Sequence, residues 1–309
     1  MVYFELESAP QPAAKPFVKW VGGKKQLLPE IQAALPASFA DGTGWTYIEP
    51  FVGGGAVLFW MLRNFPNLHH AIINDINPDL INTYRIVRNA ATDLIGELKA
   101  LAVHYRNLQN EERRKEFYLQ QRDKFNDKKS GKVESAAMFI FLNRTCFNGL
   151  YRVNSKGGFN VPFGKYTDPL ICDEKTILAD NQLLQKVEIL NGDFATMNKD
   201  APEKTLFYLD PPYKPLSQTS SFNSYAKEGF GDADQIRLKE FCDQLAAKRN
   251  RFILSNADLK GKDPANLFFD ELYANYDIRR VWASRMVNAN PEKRGKLSEL
   301  LITNQNTTR

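Results

Sequence analysis

Thr46-Tyr47-Ile48-Glu49-Pro50-Phe51-Val52-Gly53-Gly54-Gly55 is the stretch on which the fold turns. It begins as a short apolar strand and stops in a run of glycines. Ala56–Phe65 (AVLFWMLRNF) then has the length and apolarity of a helix, and Ala71–Asn74 (AIIN) reads as a second short strand closed by Asp75. Strand, glycine turn, helix, strand is half of a nucleotide-binding α/β unit. Glycine lets the backbone pass close to a ligand, and the start of the following helix presents free N–H groups. Asp75 follows the turn at the end of the next strand, where an acid bonds the ribose hydroxyls of an adenosine. The FVGGG pattern departs from the GxGxxG that dinucleotides favour, so a purely structural turn is the competing reading.

Upstream lies Lys19-Trp20-Val21-Gly22-Gly23-Lys24. Trp20 offers a flat apolar face, Gly22 and Gly23 a tight turn, and Lys24 a cation for a carboxylate or phosphate. The two elements together favour a ligand that carries both an adenosine and a carboxylate. A lone Trp also packs in cores, and that reading competes. Residues 1–16, with Pro10, Pro12 and Pro16, read as a flexible lead.

Downstream, residues 78–172 look mainly helical: Leu94, Leu98 and Leu101 recur at helical spacing, as do Val133, Ala137, Ile140 and Phe141. Arg106–Lys132 is heavily charged; it reads as a face toward phosphates or, since acids are mixed in, as a solvated helix and loop. Asn143–Tyr166 (NRTCFNGLYRVNSKGGFNVPFGKY) is rich in Asn, Gly, Arg and aromatics, which suits a structured loop or hairpin. From 173 to 309 the α/β pattern returns. Candidate strands are Val187–Leu190, Leu206–Leu209, Phe252–Ser255, Ile278–Ala283 and Leu297–Thr303, with a helix from about Asp232 to Lys248. The last two strands flank a polar, basic loop holding Arg285, Lys293, Arg294 and Lys296 and predict an antiparallel terminal hairpin on a parallel sheet. The expectation is one discontinuous α/β domain, 1–77 and 173–309, split by a helical insertion at 78–172 whose hairpin lies near 146–166.

The chain has 309 residues, 43% hydrophobic and 25% charged, enough for a sizeable core and too ordinary for a disordered chain. Its three cysteines, Cys146, Cys172 and Cys242, form no CxxC or Cys/His cluster, so neither a disulfide framework nor a structural zinc site is expected. No apolar run approaches a membrane span, and no secretion signal is evident, so a cytoplasmic protein is expected. The balance of 41 Lys+Arg against 36 Asp+Glu gives net +5, compatible with nucleic acid but no evidence of it.

The sharpest signal is Phe207-Tyr208-Leu209-Asp210-Pro211-Pro212-Tyr213, a hydrophobic strand running into Asp-Pro-Pro-Tyr. Two prolines fix φ and remove two N–H donors, so the strand stops and stays rigid. The Asp210 carboxylate and the Pro211 carbonyl are then both acceptors at its tip. A planar exocyclic amine such as adenine N6 has two hydrogens for them, and accepting both frees the nitrogen lone pair. Tyr213 can stack on the heterocycle. The electrophile would be a sulfonium methyl, transferred in line, with rate supplied by proximity and aligned electrostatics. A cytosine-C5 enzyme needs a Pro-Cys nucleophile, and none of the three cysteines follows a proline.

With KWVGGK, PFVGGG, NDIN, FNGLYRVNSKGGFNVPFGKY and DPPYKPLSQTSSFNSY in that order, the sequence resembles the Dam-type (D12 class, alpha group) DNA adenine-N6 methyltransferases from about Pro16 to Thr303. The resemblance implies a Rossmann-like S-adenosylmethionine-dependent methyltransferase sheet with an inserted target-recognition domain. It implies S-adenosyl-L-methionine as methyl donor and no metal. Trp20, Gly22, Lys24, Phe51, Gly53, Gly55, Asp75, Asp193, Phe194 and Asp210 would surround the donor. Asp210, Pro211, Pro212 and Tyr213 would hold a flipped adenine in double-stranded DNA. Members specific for GATC read bases with positions matching Asn148, Leu150, Arg152, Pro162 and Tyr166, with an aromatic wedge at Phe147, where relatives often have Tyr. A guanidinium at Arg152 is the usual bidentate partner of guanine. Ser217, Thr219 and Ser221, with Arg285, Lys293 and Arg294, are candidates for phosphate contact. No membrane partner is expected; a restriction endonuclease would be a functional partner without stable binding. RNA adenine or a protein glutamine are alternative acceptors, although protein-directed relatives tend to carry Asn-Pro-Pro-Tyr. A catalytically silent DNA-binding module is the remaining alternative.

Overall fold

A computed structural model describes residues 14–197, 199, 201–213, 230–261, 263–284 and 296–304. The opening stretch forms strand β1 (Thr46–Glu49), the glycine turn, helix α2 (Ala56–Asn64) and strand β2 (His70–Asp75), preceded by the short helix α1 (Leu28–Ala33). Strands β3 (Val187–Asn191), β4 (Thr205–Leu209), β5 (Arg251–Ala257), β6 (Asp277–Ser284) and β7 (Lys296–Thr303) complete a seven-stranded sheet in the order β3-β2-β1-β4-β5-β7-β6. β1 to β5 pair in parallel, while β7 runs antiparallel to both β5 and β6. The terminal hairpin is therefore present, but it folds back so that its second strand lies inside the sheet.

β1 and β4 are buried along their whole length, β4 as a mostly apolar run and β1 with Glu49 as a buried carboxyl at its end. Tyr47, Tyr208, Ile253 and Leu301 face one core with α2 and α7 (Glu174–Leu184); Ile48, Phe207, Leu209 and Leu254 face the other with α8 (Asp232–Ala247). The chain leaves β1 toward β2 on one side and reaches β4 on the other. That reversal opens a crevice at the carboxyl ends of β1 and β4, the place where open α/β sheets bind ligands.

Between β2 and β3 come α3 (Pro78–Asn89), α4 (Ala91–Asn107), α5 (Glu111–Asp127), α6 (Lys132–Thr145) and α7. Asn77 caps α3 by accepting from the N–H groups of Asp79 and Leu80, with Pro78 at its first position. α3 joins the sheet to the inserted helices: Arg85 and Arg88 donate to the carbonyls of Ile189 and Val187 in β3, and the same helix packs against α6. α6 is buried almost all round from Ala136 to Asn143, as the central helix of its layer must be.

Asn143 to Thr145 belong to α6, not to the loop the composition predicts there. Residues 146–166 then form a hairpin-like loop closed by only two isolated bridges, Cys146 with Phe163 and Val153 with Phe159. Left-handed Asn148, Gly149 and Gly157 and the missing N–H of Pro162 break the ladder. Side chains hold the loop instead: Tyr118 donates to the Val161 carbonyl at 2.7 Å, Tyr105 to that of Tyr166 at 2.6 Å, and Asn126 pairs with both backbone groups of Phe159. Cations of the charged Arg106–Lys132 stretch are met by acids within it and beyond it. Arg106, Arg113, Lys124, Lys128 and Lys129 pair with Asp168, Glu116, Glu134, Asp79 and Asp127, which favours the solvated reading over a phosphate face.

Asp180 of α7 is fully buried; its Oδ1 accepts from the Lys15 N–H at 3.1 Å and its Oδ2 has no partner among the described residues. Burial pushes this carboxyl up to about 8. In the unfolded chain it ionises near ~3.9, so the folded state binds the proton more tightly. The stabilisation is complete at acid pH and is lost as pH rises from ~4 toward 8. Asp180→Asn stays neutral and still accepts from Lys15. It will raise Tm above pH 8 by a few degrees; each ~1 kcal/mol is worth roughly 2–4 °C in domains of about 150–250 residues and somewhat less in a larger chain such as this. Thermal melts from pH 5 to 9 check this; parallel declines in both proteins would refute the assignment.

Candidate active site

The glycine turn is shaped by what packs on it. Gly53 has φ +48°, and a Cβ there would lie 2.8 Å from Trp20 Cδ1. Gly55 has φ +76°, and its Cβ would meet the Tyr84 hydroxyl at 2.5 Å. Neither position admits a side chain without displacing these rings. The Gly53 N–H donates to Asp75 Oδ2 at 3.1 Å, and Tyr84 donates to the Gly53 carbonyl at 3.0 Å. Asp75 also accepts from Asn77 N–H. Burial raises its carboxyl, with those backbone donors opposing the shift. Ile76, directly after it, is 67% exposed, an apolar face left bare beside the glycine cradle. Phe51 lies 5.1 Å from Phe194, ring to ring. Asp193 caps the short turn Phe194–Thr196 and pairs with Arg237, whose guanidinium lies over the Phe194 ring at 4.6 Å.

At the tip of β4 the carboxylate of Asp210 is held from one side. Lys24 Nζ lies 2.9 Å from Oδ1, and Ser255 Oγ donates to the same oxygen at 3.2 Å. Lys24 is itself 5% exposed along its side chain and is aimed by a 2.8 Å bond to the Gly22 carbonyl. With Ser255 donating to Asp210, the Tyr208 hydroxyl at 3.0 Å is left to donate to Ser255. Oδ2 has no partner among the described residues, so one oxygen is anchored and the other is available. Burial raises the Asp210 carboxyl, and Lys24 partly offsets this. Lys24 Nζ also sits 4.6 Å from the Tyr213 ring centre, and Tyr213 donates to Glu299 of β7 at 2.6 Å. Behind the turn, Glu49 is buried and accepts from Tyr47 at 2.7 Å; burial pushes its carboxyl well up.

The loop after α6 lies against the same segment. Asn143 accepts from the Lys19 N–H and donates to the carbonyls of Lys19 and Gly149, so one buried amide ties the KWVGGK segment to the loop. Trp20 stacks on Tyr151 at 5.6 Å. Phe147 is 52% exposed and Asn148 is exposed beside it in a left-handed conformation. Leu150 is half-buried; Pro162 is exposed and its carbonyl accepts from Phe147 N–H. Tyr166 lies under Lys19 Nζ at 4.9 Å. Arg152 donates from Nε to Asn160 Oδ1 at 2.8 Å and from Nη2 to the Asn160 carbonyl at 3.3 Å.

The structure thus brings Trp20, Gly22, Lys24, Gly53, Asp75, Asp210 and Tyr213 to one edge of the sheet. Ser217, Thr219, Ser221, Arg285, Lys293 and Arg294 lie outside the described residues. Sequence reading missed Ser255, Glu299, Glu49, Ile76 and Asn143. Ser255 and Glu49 carried a signal, each a polar residue inside an otherwise apolar strand. Among the described residues no cluster of His, Cys, Asp and Glu could hold a metal, and no helix is long and apolar enough to cross a membrane.

An open parallel sheet with one antiparallel strand inserted near its edge, and its loops gathered where β1 and β4 diverge, defines a Rossmann-like methyltransferase fold. The chain belongs to the D12 class N6 adenine-specific DNA methyltransferases, whose family profile matches residues 20–287. It is 47% identical over 294 residues to the Type II methyltransferase M.MjaIII of Methanocaldococcus jannaschii, covering 94% of this chain and 99% of that one. It is 39% identical to the Type II methyltransferase M1.LlaDCHI of Lactococcus lactis subsp. cremoris, covering 94% and 95%. It is 32% identical to the DNA adenine methylase of Escherichia coli K12, covering 92% and 93%. The acceptor is therefore adenine in DNA, and the RNA, protein and silent readings fall away.

Proposed function

We propose that this enzyme moves the methyl group of S-adenosyl-L-methionine to N6 of adenine in double-stranded DNA at GATC, with the target base turned out of the helix. The single observation that carries the reading is Asp210, fixed through Oδ1 by Lys24 and Ser255 with Oδ2 unpartnered among the described residues.

The donor supplies an electrophilic methyl on a sulfonium. What the chain offers it fits: a cradle at Gly53 that a Cβ would fill, the Asp75 carboxylate for ribose hydroxyls, and the bare face of Ile76 for a purine. Asp210 Oδ2 and the Pro211 carbonyl accept the two N6 hydrogens, and Tyr213 backs the ring. The nitrogen lone pair forms the new N–C bond as the C–S bond breaks and its electrons stay on sulfur. N6 then sheds one proton, along its hydrogen bond to Asp210, to solvent. No strong base is needed, because the nitrogen becomes acidic only after attack.

N6 chemistry inside a duplex is out of reach of such a tip, so the base must leave the stack at a cost of a few kcal/mol. Exposed Phe147 supports a wedge for the space left behind. Arg152 would read a guanine, Leu150 and Pro162 a thymine methyl, and Asn148 and Tyr166 the remaining edges. Ser217, Arg285, Lys293 and Arg294 would meet phosphates. In this reading 1–77 with 173–309 is the catalytic unit and 78–172 the target-recognition unit. The work is done in the cytoplasm, and the relatives named Type II methyltransferases support pairing with a restriction endonuclease. The test is label transfer from S-adenosylmethionine to duplexes containing GATC or a scrambled site. Transfer confined to GATC is expected; equal rates on both would sink the specificity.

A further inference from the structure

Glu299 has no place in the reading above, yet it closes the catalytic cluster. It stands on β7 opposite Ala257 of β5 and Val281 of β6, and its Oε2 accepts the Tyr213 hydroxyl at 2.6 Å across 86 residues of sequence. Tyr213 is thereby held at both ends of its ring system: by the hydroxyl, and by Lys24 Nζ 4.6 Å from the ring centre. The same Lys24 is the cation bound to Asp210. One ammonium thus pairs with the Asp210 carboxylate and lies over the ring that the Glu299 carboxylate holds.

Resting on the proposed transfer from a sulfonium to an adenine amine, we propose that Glu299 is a positioning residue for that step. It fixes the ring that backs the target base, and its charge leaves the Lys24–Asp210–Glu299 cluster one negative charge in excess. A site of that sign suits the positive charge that develops on N6 at the transition state; oriented charge in a water-poor crevice is where catalysis gains most. The groups that face Asp210 are Lys24 before α1, Glu49 behind the glycine turn, Tyr208 on β4, Ser255 on β5, Tyr213 and Glu299. Of the two carboxylates among them, Glu49 is buried with a raised carboxyl and Glu299 is half-buried. Burial raises the Asp210 carboxyl most, Lys24 lowers it, and Glu299 adds a smaller rise.

The experiment is single-turnover methyl transfer to a GATC duplex from pH 5 to 9. It compares the intact protein with Glu299→Gln, Glu299→Ala, Tyr213→Phe, the Glu299→Gln/Tyr213→Phe double variant and Asp210→Ala. Each single Glu299 or Tyr213 variant should slow transfer about tenfold, below the loss for a directly bonding group. The double variant should be within about twofold of the slower single, because both changes break one contact. Glu299→Gln should move the acid limb of the rate slightly to lower pH, since burial still raises the Asp210 carboxyl but the smaller contribution of the Glu299 charge is gone. Donor and duplex affinities, by calorimetry and fluorescence anisotropy, should stay within about twofold. Full rates in Glu299→Gln and Glu299→Ala, losses that multiply in the double variant, or an unmoved acid limb would each overturn the proposal. If Asp210→Ala also kept its full rate, the proposed function itself would fail; if only Asp210→Ala were inactive, this inference alone would.

Discussion

Asp210→Asn will bind duplex DNA as tightly as the intact protein and transfer methyl groups roughly 10³-fold more slowly, no better than Asp210→Ala. An Asn is usually the gentle replacement for an Asp, and here the geometry makes it as damaging as deletion. Lys24 and Ser255 both donate to Oδ1, so the Asn carbonyl will take that side. Its NH₂ is then forced into the Oδ2 position, facing the adenine amine donor to donor. The substrate loses an acceptor and meets a repulsive dipole in the same place. pH acts through the same atom. The Asp210 carboxyl titrates above the ordinary Asp value, chiefly because it is buried. The active form is the carboxylate, so the rate falls as pH drops through that raised value and is full above it. Single-turnover rates against pH check both statements. An Asp210→Asn enzyme within tenfold of the intact one would mean that the carboxylate does not grip the amine.

The parts of this site that were legible in the sequence are those made by neighbouring residues. PFVGGG and DPPY announce themselves because a turn and a proline lock are local events, fixed by φ and by missing donors within a few positions. What escaped depends on pairing between distant segments. Nothing in Leu297–Thr303 reveals that β7 enters between β5 and β6, yet that insertion is what puts Glu299 under Tyr213. Ser255 was visible as a hydroxyl in the apolar run FILS, but its duty follows from the register of β5 beside β4. Asn143 read as the start of an Asn-rich loop but lies in an apolar helix, and only its backbone partners at Lys19 and Gly149 show it to be a tie between two segments. The charged stretch at 106–132 failed in the opposite way. Its cations looked available until the fold brought acids from α3, α6 and the loop at Asp168 to meet them.

Arg152→Ala will lose discrimination rather than chemistry. A bidentate Arg–guanine pair is worth about 1–3 kcal/mol, roughly 5- to 150-fold in specificity. On GATC, kcat/KM should fall by up to about 100-fold, while on duplexes with the relevant guanine exchanged for adenine it should change little. The hold on the side chain fits this expectation. Asn160 takes Nε at 2.8 Å and touches Nη2 at 3.3 Å, and Nη1 has no partner among the described residues. The guanidinium is therefore gripped along one edge and offers the other, which cuts the rotamer entropy lost on docking. Arg152→Lys separates this from simple charge attraction. A lysine keeps the positive charge but neither fills the Asn160 clamp nor presents a planar fork, so it should discriminate almost as poorly as Ala. Had Arg152 only met a phosphate, Lys would restore most of the rate, and the loss in Arg152→Ala would fall equally on every duplex, with a shallower dependence on salt. Measuring kcat/KM for the three proteins on GATC and on both single-guanine exchanges, at two salt concentrations, decides between base reading and backbone contact.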